Sequence, residues 1–255
     1  MHPRNPIDIE AERSGEPVFR EVGVGPWSET HPGEPRPDDP ASPVFDPYRY
    51  DSALLDEGDR RNVLDRYRYW RVAAIKADLD ARGRHDFEIA CENWTHDFNI
   101  GSMVRTANAF QARRVHIVGP HKWNRNGALM TELYSHVEHH PSIAELVECW
   151  RNRIAGEIAY ERSRAASAAR IRELEAARVI AMDIIPGAVP METYAFPKRC
   201  LLLFGAEGPG LTQTALDLAD DVVYISQFGS VRSINAGAAA AVTMHAWIAQ
   251  HAAIR

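Results

Sequence analysis

Cysteine is scarce in this chain: Cys91, Cys149 and Cys200 are the only three in 255 residues, far apart and without a CxxC pair. That spacing excludes a disulfide-built scaffold and suggests no cysteine-held zinc site. No apolar run approaches the roughly 20 residues that a membrane helix needs, and the N-terminus lacks a signal-peptide core. A cytoplasmic protein with no membrane partner is therefore expected. Nucleotide motifs are missing too. The glycine-rich string Gly205–Gly210 is not followed by Lys-Ser or Lys-Thr, which disfavours a P-loop, and its order is not G-x-G-x-x-G, which disfavours a dinucleotide fold. The histidines of the HVEHH string (His136, His139, His140) have no clear ligand geometry, and no metal site is expected there.

A basic surplus is also absent, since the net charge is −6. On its own this argues against a nucleic-acid partner. The distribution of the charge argues the other way. Met1 to Arg60 carries 6 basic and 14 acidic residues, whereas the remainder carries 23 and 21.

What is present divides into three parts. Residues 1–50 are acidic and rich in proline, and such a segment cannot bury enough apolar surface to offset its ordering entropy; a disordered or extended arm is expected. Residues 51–85 contain a helical pattern from Asp59 to Arg82, with Val63, Leu64, Tyr67 and Trp70 set among Arg60, Arg61, Arg66, Arg68 and Arg71. A basic amphipathic helix able to touch an RNA backbone is the expectation. Residues 86–255 alternate short apolar runs with helical stretches. Strands near 87, 115, 179, 201 and 222 predict an α/β domain with a mainly parallel sheet. The Arg-rich stretch from Ser142 to about Ala177 reads as a solvated helix with a break near Gly156.

Three loops carry the chemistry. The strand Leu201–Phe204 breaks into Gly205, Glu207, Gly208, Pro209 and Gly210, where main chain can approach a ligand without Cβ atoms in the way. Val222 to Ile225 leads to Ser233 and Asn235 at the head of an alanine-rich helix. Asn99 occupies an N-cap position ahead of a helix that carries Arg105. A fourth loop, His121 to Gly127, interleaves Lys122 and Arg125 with Trp123, a composition suited to single-stranded RNA. An unrelated α/β enzyme that uses Gly205–Gly210 as an anion loop remains an alternative, and it predicts ATP binding.

Together these stretches resemble the SpoU/TrmH branch of the SPOUT superfamily, whose members are RNA ribose 2′-O-methyltransferases. Its first motif, Asn-x-Gly-x-x-x-Arg-x-Ala, is matched by Asn99, Gly101, Arg105 and Ala107; its second by Gly205, Glu207, Gly210 and Leu211; its third by Ser233, Asn235 and the alanines that follow. The resemblance covers about residues 87 to 250. It implies a C-terminal deep trefoil knot and S-adenosylmethionine as cofactor, with Leu203, Phe204, Gly205, Glu207, Gly210, Ile225, Ser233 and Asn235 around it. It also implies catalytic or positioning roles for Asn99, Arg105, Glu207, Ser233 and Asn235, and a tRNA or rRNA partner. A catalytically silent RNA-binding paralogue is the alternative within the same fold. The last helix, Asn235 to Ile248, is apolar on all sides: Ala240, Met244 and Trp247 occupy one face, Ala238, Ala241 and Ile248 the other. A helix of that kind must be covered twice, and a homodimer is expected.

Overall fold

The computed structural model describes residues 5–16, 19, 22–95, 97–165 and 167–253, which fall into two compact units, 1–74 and 75–255. The division lies inside helix α4 (Val72–Ala81).

The first unit contains α1 (Pro6–Arg13), α2 (Trp27–Thr30), α3 (Ser52–Glu57) and a 3-10 turn, Asp65–Tyr67. The arm expected over 1–50 is not extended from Val24 onward. Val24 forms an antiparallel bridge with Asp59, and Tyr50 forms one with Trp70. Trp27 stacks on His31 with ring centroids 3.7 Å apart, and Tyr69 donates its hydroxyl hydrogen bond to the Gly25 carbonyl at 2.6 Å. Five aromatic rings drawn from distant positions thus supply apolar contacts that a proline-rich composition hides.

Nor is Asp59–Arg82 one helix. The buried Asp59 carboxylate accepts from the Arg61 amide (3.0 Å), from Arg61 Nε (2.8 Å) and from the Tyr69 amide (2.9 Å), so the chain between them folds back as a loop. Arg68 and Arg71 donate to the carbonyls of Arg61 and Tyr50. Three of the arginines expected on an RNA-facing surface therefore hold the loop together, and the helix begins only at Val72.

The second unit is built on seven parallel strands: β1 (Phe87–Glu92), β2 (Val115–Val118), β3 (Val137–His140), β4 (Arg178–Met182), β5 (Val189–Pro190), β6 (Cys200–Phe204) and β7 (Asp221–Tyr224). Their order is β3-β2-β1-β6-β4-β7-β5. The central strands β1 and β6 are buried throughout; β6 is the continuous apolar run expected of a sheet covered on both sides, whereas β1 buries two carboxylates, Glu88 and Glu92. Alternate residues feed two cores. Phe87, Ile89, Leu202 and Phe204 pack with Met103 and Ala107 of α5 (Ile100–Ala109) and with Met244 and Trp247 of α9 (Ala236–His251). Ala90, Leu201 and Leu203 pack with Leu146, Val147 and Trp150 of α6 (Ile143–Ser163), and with Ala215 of α8 (Gln213–Leu218). Burying each large side chain contributes roughly 1.5–3 kcal/mol.

The edge strands β3 and β5 escape sequence reading because one is polar and the other only two residues long. In the Arg-rich stretch α6 runs unbroken through Gly156 and ends at Ser163 with Arg164 as its C-cap, Ala165 takes a φ of 51°, and α7 (Ala168–Glu175) starts from the N-cap Ser167. Among the described residues no helix is long and apolar enough to cross a membrane.

Candidate active site

A cleft of about 790 Å³, including its open mouth, lies beyond the C-terminal ends of β4, β6 and β7. This is the end of a parallel sheet at which strand order reverses and ligands are usually held. Its walls come from Phe204, from all six residues Gly205 to Gly210, from Asp183, and from Ile225, Ser233 and Ile234. The loop after β6 closes on itself: Ala206 and Gly210 exchange both main-chain hydrogen bonds, at 3.2 and 3.0 Å. A Cβ on Gly205 would overlap the Gly210 carbonyl and the Leu211 amide. Glycine is therefore demanded here by the loop's own closure, a stricter reason than approach to a ligand. Gly208, at φ +90°, turns bare main chain toward open space.

Glu207 ties the three motif loops together. Its Oε2 accepts from Asn99 Nδ2 (3.0 Å), Asn235 Nδ2 (3.0 Å) and the Ala236 amide (2.8 Å). Asn235 Nδ2 also donates to Asn99 Oδ1 at 2.9 Å, while its own Oδ1 caps α9 by accepting from the Ala238 amide. Asn99 stands at the head of α5 as expected, yet its side chain makes no capping bond there. It is diverted to Glu207 and to Asp97. The helices α5 and α9 meet closely at this point: a Cβ on Gly237 would come within 2.7 Å of Ser102 Oγ.

Sequence reading missed two acids. Asp97, buried, accepts from the Asn99 amide at 2.7 Å and from the Glu207 amide at 2.6 Å, bridging the first and second motifs. Asp183 follows β4 and accepts from the Ile184 and Leu211 amides at 2.7 and 3.1 Å. An aspartate two residues before an N-cap asparagine was the available signal for Asp97. Nothing local marks Asp183, whose partner in the second motif, Leu211, lies 28 residues away.

Of the residues expected around a cofactor, Phe204, Gly205, Glu207, Gly210, Ile225 and Ser233 line the cleft. Asn235 does not line it but fixes its rim through Glu207. Leu203 does not reach it: its side chain lies in the opposite core, against α6 and α8. Arg105 is exposed on α5 and lines no part of the cleft. Trp123 departs from expectation, because it is buried in the core beside α5 and its ring cannot stack on a base; Lys122 and Arg125 are exposed.

A parallel sheet whose C-terminal edge carries a main-chain-lined cleft, with one carboxylate pinned to two asparagines at its rim, defines an α/β protein with a ligand cleft built from loops at the strand ends. The chain matches the SpoU rRNA Methylase family over residues 86–245 and belongs to that family. It is 24% identical over 181 residues to the Escherichia coli protein named tRNA (guanosine(18)-2′-O)-methyltransferase, covering 70% of this chain and 68% of that one. Among solved structures it is similar in fold to the SpoU methyltransferase AviRb from Streptomyces viridochromogenes, solved with AdoMet, at a TM-score of 0.54 and 24% identity. That match covers 68% of this chain and 64% of AviRb, so the chain spans just under two thirds of that relative's length. The TrmH/SpoU tRNA modifying enzyme of A. aeolicus superposes with a TM-score of 0.55 and 16% identity, over 71% of this chain and 82% of the other.

Proposed function

We propose that this protein is an S-adenosylmethionine-dependent RNA methyltransferase that acts on a ribose 2′-hydroxyl of tRNA or rRNA in the cytoplasm. The observation that carries the proposal is the convergence of Asn99, Asn235 and the Ala236 amide on one Glu207 oxygen at the edge of a main-chain-lined cleft. The E. coli relative's name and the AdoMet held by AviRb point to the same chemistry.

The cleft fits such a cofactor. Main-chain groups of Gly205 to Gly210 offer donors and acceptors to an adenine, Phe204, Ile225 and Ile234 supply apolar walls, and the Asp183 and Glu207 carboxylates suit a ligand with cationic groups. When bound, the cofactor supplies an electrophilic methyl on a sulfonium; transfer to the 2′-oxygen leaves a neutral thioether and releases the hydroxyl proton. The chain's task is alignment and charge placement. Glu207 locks the Asn99 and Asn235 amides in one orientation, so neither needs to reorganise when substrate arrives. Arg105 acts as a fixed cation on the target phosphate or ribose. The planar fork of a guanidinium suits phosphate oxygens. Lys122 and Arg125 extend the positive surface for RNA.

Two further elements belong to this reading. A deep trefoil knot in the C-terminal part of the sheet belongs to it as the family's fold, with the non-sequential strand order β1-β6-β4-β7 as its support here. A homodimer is supported by the outer face of α9, where Ala238, Val242 and His245 are exposed while Ala240, Met244 and Trp247 are buried.

The test is methyl transfer from radiolabelled S-adenosylmethionine to separate tRNA and rRNA fractions, followed by nuclease digestion and nucleoside mapping. Label in a 2′-O-methylnucleoside is expected from one fraction. Label confined to a base would overturn the ribose assignment, and no label from either fraction would overturn the enzyme.

A further inference from the structure

A second polar cluster sits on the β3 side of the sheet, away from the β6-β4-β7 cleft and sharing no residue with it. His116 of β2 and Glu138 of β3 are register partners, and His140 stands two residues on from Glu138, on the same face. His116 and His140 are buried, whereas the Glu138 side chain is 34% exposed. His116 Nδ1 lies 3.1 Å from His140 Nε2. Glu138 Oε2 lies 3.6 Å from the first nitrogen and 3.9 Å from the second.

The outward nitrogens settle what the facing ones carry. His116 Nε2 is 2.7 Å from Glu88 Oε2. Glu88 also accepts from the buried Arg199 at 2.6 Å and faces Arg153 at 3.4 Å, so it acts as an acceptor through both oxygens and the hydrogen belongs to the imidazole. His140 Nδ1 is 3.3 Å from Glu145 Oε1, and since a carboxylate oxygen accepts, the hydrogen is placed on this nitrogen. With those positions filled, neutral imidazoles would aim two lone pairs at each other across 3.1 Å. Such an arrangement needs a cation between them.

The triangle of 3.1, 3.6 and 3.9 Å has a circumradius of about 2.1 Å, so one ion can stand at that distance from all three atoms. Zinc bonds to histidine nitrogen at roughly 2.0–2.1 Å and to carboxylate oxygen at roughly 2.0–2.2 Å. Imidazoles whose other nitrogen donates to a carboxylate are the usual companions of such an ion. Arg153 Nη2, at 3.0 Å, takes one lone pair of Glu138 Oε2 and leaves the other. Glu138 is the exposed member of the cluster, its other oxygen accepting from Arg114 Nε at 2.8 Å.

We propose that His116 Nδ1, Glu138 Oε2 and His140 Nε2 bind a divalent transition metal, zinc foremost, as a structural site that ties β2 to the edge strand β3. Magnesium and calcium prefer oxygen donors and do not fit two imidazoles.

The experiment uses the full chain, purified without a polyhistidine tag, stripped with chelator and titrated with zinc chloride by calorimetry, with elemental analysis after gel filtration. Expected are about one zinc per chain, a rise in melting temperature of several degrees with zinc but not with magnesium, and the visible bands of tetrahedral cobalt on substitution. Glu138→Gln should weaken zinc binding about tenfold or more, and His140→Ala should abolish stoichiometric binding because it removes one of the two imidazoles. If His140→Ala does not fold, the wild-type titration and Glu138→Gln decide. No stoichiometric metal, together with an unchanged melting temperature, overturns the site and leaves a proton as the bridging cation.

Discussion

Asn99 Nδ2 donates to Glu207 Oε2 over 3.0 Å, joining residues 108 positions apart in the chain. The same oxygen accepts two more bonds, so its removal takes one partner from three donors at once, of which Asn99 and Asn235 keep a second acceptor. Glu207→Ala should lower stability by only about 1 kcal/mol, because Asn235 is exposed and Asn99 keeps Asp97 as an acceptor. It should also cut turnover by about 10²-fold or more, since the two amides lose their common anchor. Glu207→Gln keeps an acceptor oxygen but no charge, and an intermediate loss is expected. Melting curves and single-turnover methylation read the two effects separately; wild-type turnover in Glu207→Ala would remove this residue from the mechanism.

Gly205→Val should abolish S-adenosylmethionine binding, because a branched side chain there collides with the Gly210 carbonyl and forces the cleft wall open. Calorimetry with the cofactor gives the answer. An affinity within about twofold of wild type would place the cofactor elsewhere.

The motif loops were legible in sequence because each is a strand end followed by residues with a distinctive backbone demand: Gly205, Gly210, and Asn235 as a cap. Apolar runs such as Leu201–Phe204 marked their strands for the same reason. The first unit was not legible, since its order rests on Asp59 reaching Tyr69 and on Trp27 stacking with His31, contacts that composition does not encode. Trp123 misled because a loop tryptophan between two cations looks the same in sequence whether its ring faces solvent or core. The histidine cluster stayed hidden for a related reason. His136 and His139, adjacent in the string, are not its members, and His116 comes from the neighbouring strand.

Asp59 gives the first unit an acid-sensitive clasp. Burial alone would push its carboxyl up, but hydrogen bonds from Arg61 and the Tyr69 amide outweigh that and hold it below the usual carboxylate range. With the folded value depressed, the stabilisation is fully present above the unfolded value near 3.8 and is lost as pH falls through the folded one. Asp59→Asn should remove that acid dependence and cost roughly 3 kcal/mol at neutral pH, because Arg61 is left without its counter-charge. Amide hydrogen exchange at Val24 and Tyr69, followed from pH 6 to about 3, is the readout. Equal pH profiles in wild type and Asp59→Asn would exclude the clasp.

Arg105 matches the family's first motif, yet it is exposed on α5 and lines no part of its own cleft. A homodimer resolves this if each Arg105 serves the partner's cofactor. Arg105→Ala should then cut turnover by about 10²-fold or more while cofactor affinity holds, and Arg105→Lys should not rescue it, because a point charge lacks the fork. Mixing supplies the decisive arm. Arg105→Ala and Gly205→Val chains are each inactive alone, but a dimer of one with the other contains one complete site if arginine and cofactor come from different chains. Co-expression of the two, with random pairing, should recover about a quarter of wild-type activity. If both groups come from one chain, no pairing restores anything. Light scattering fixes the assembly independently: full activity at a mass near 28.6 kDa would end the dimer reading, whereas twice that mass, with recovery in the mixed sample, would establish the shared site.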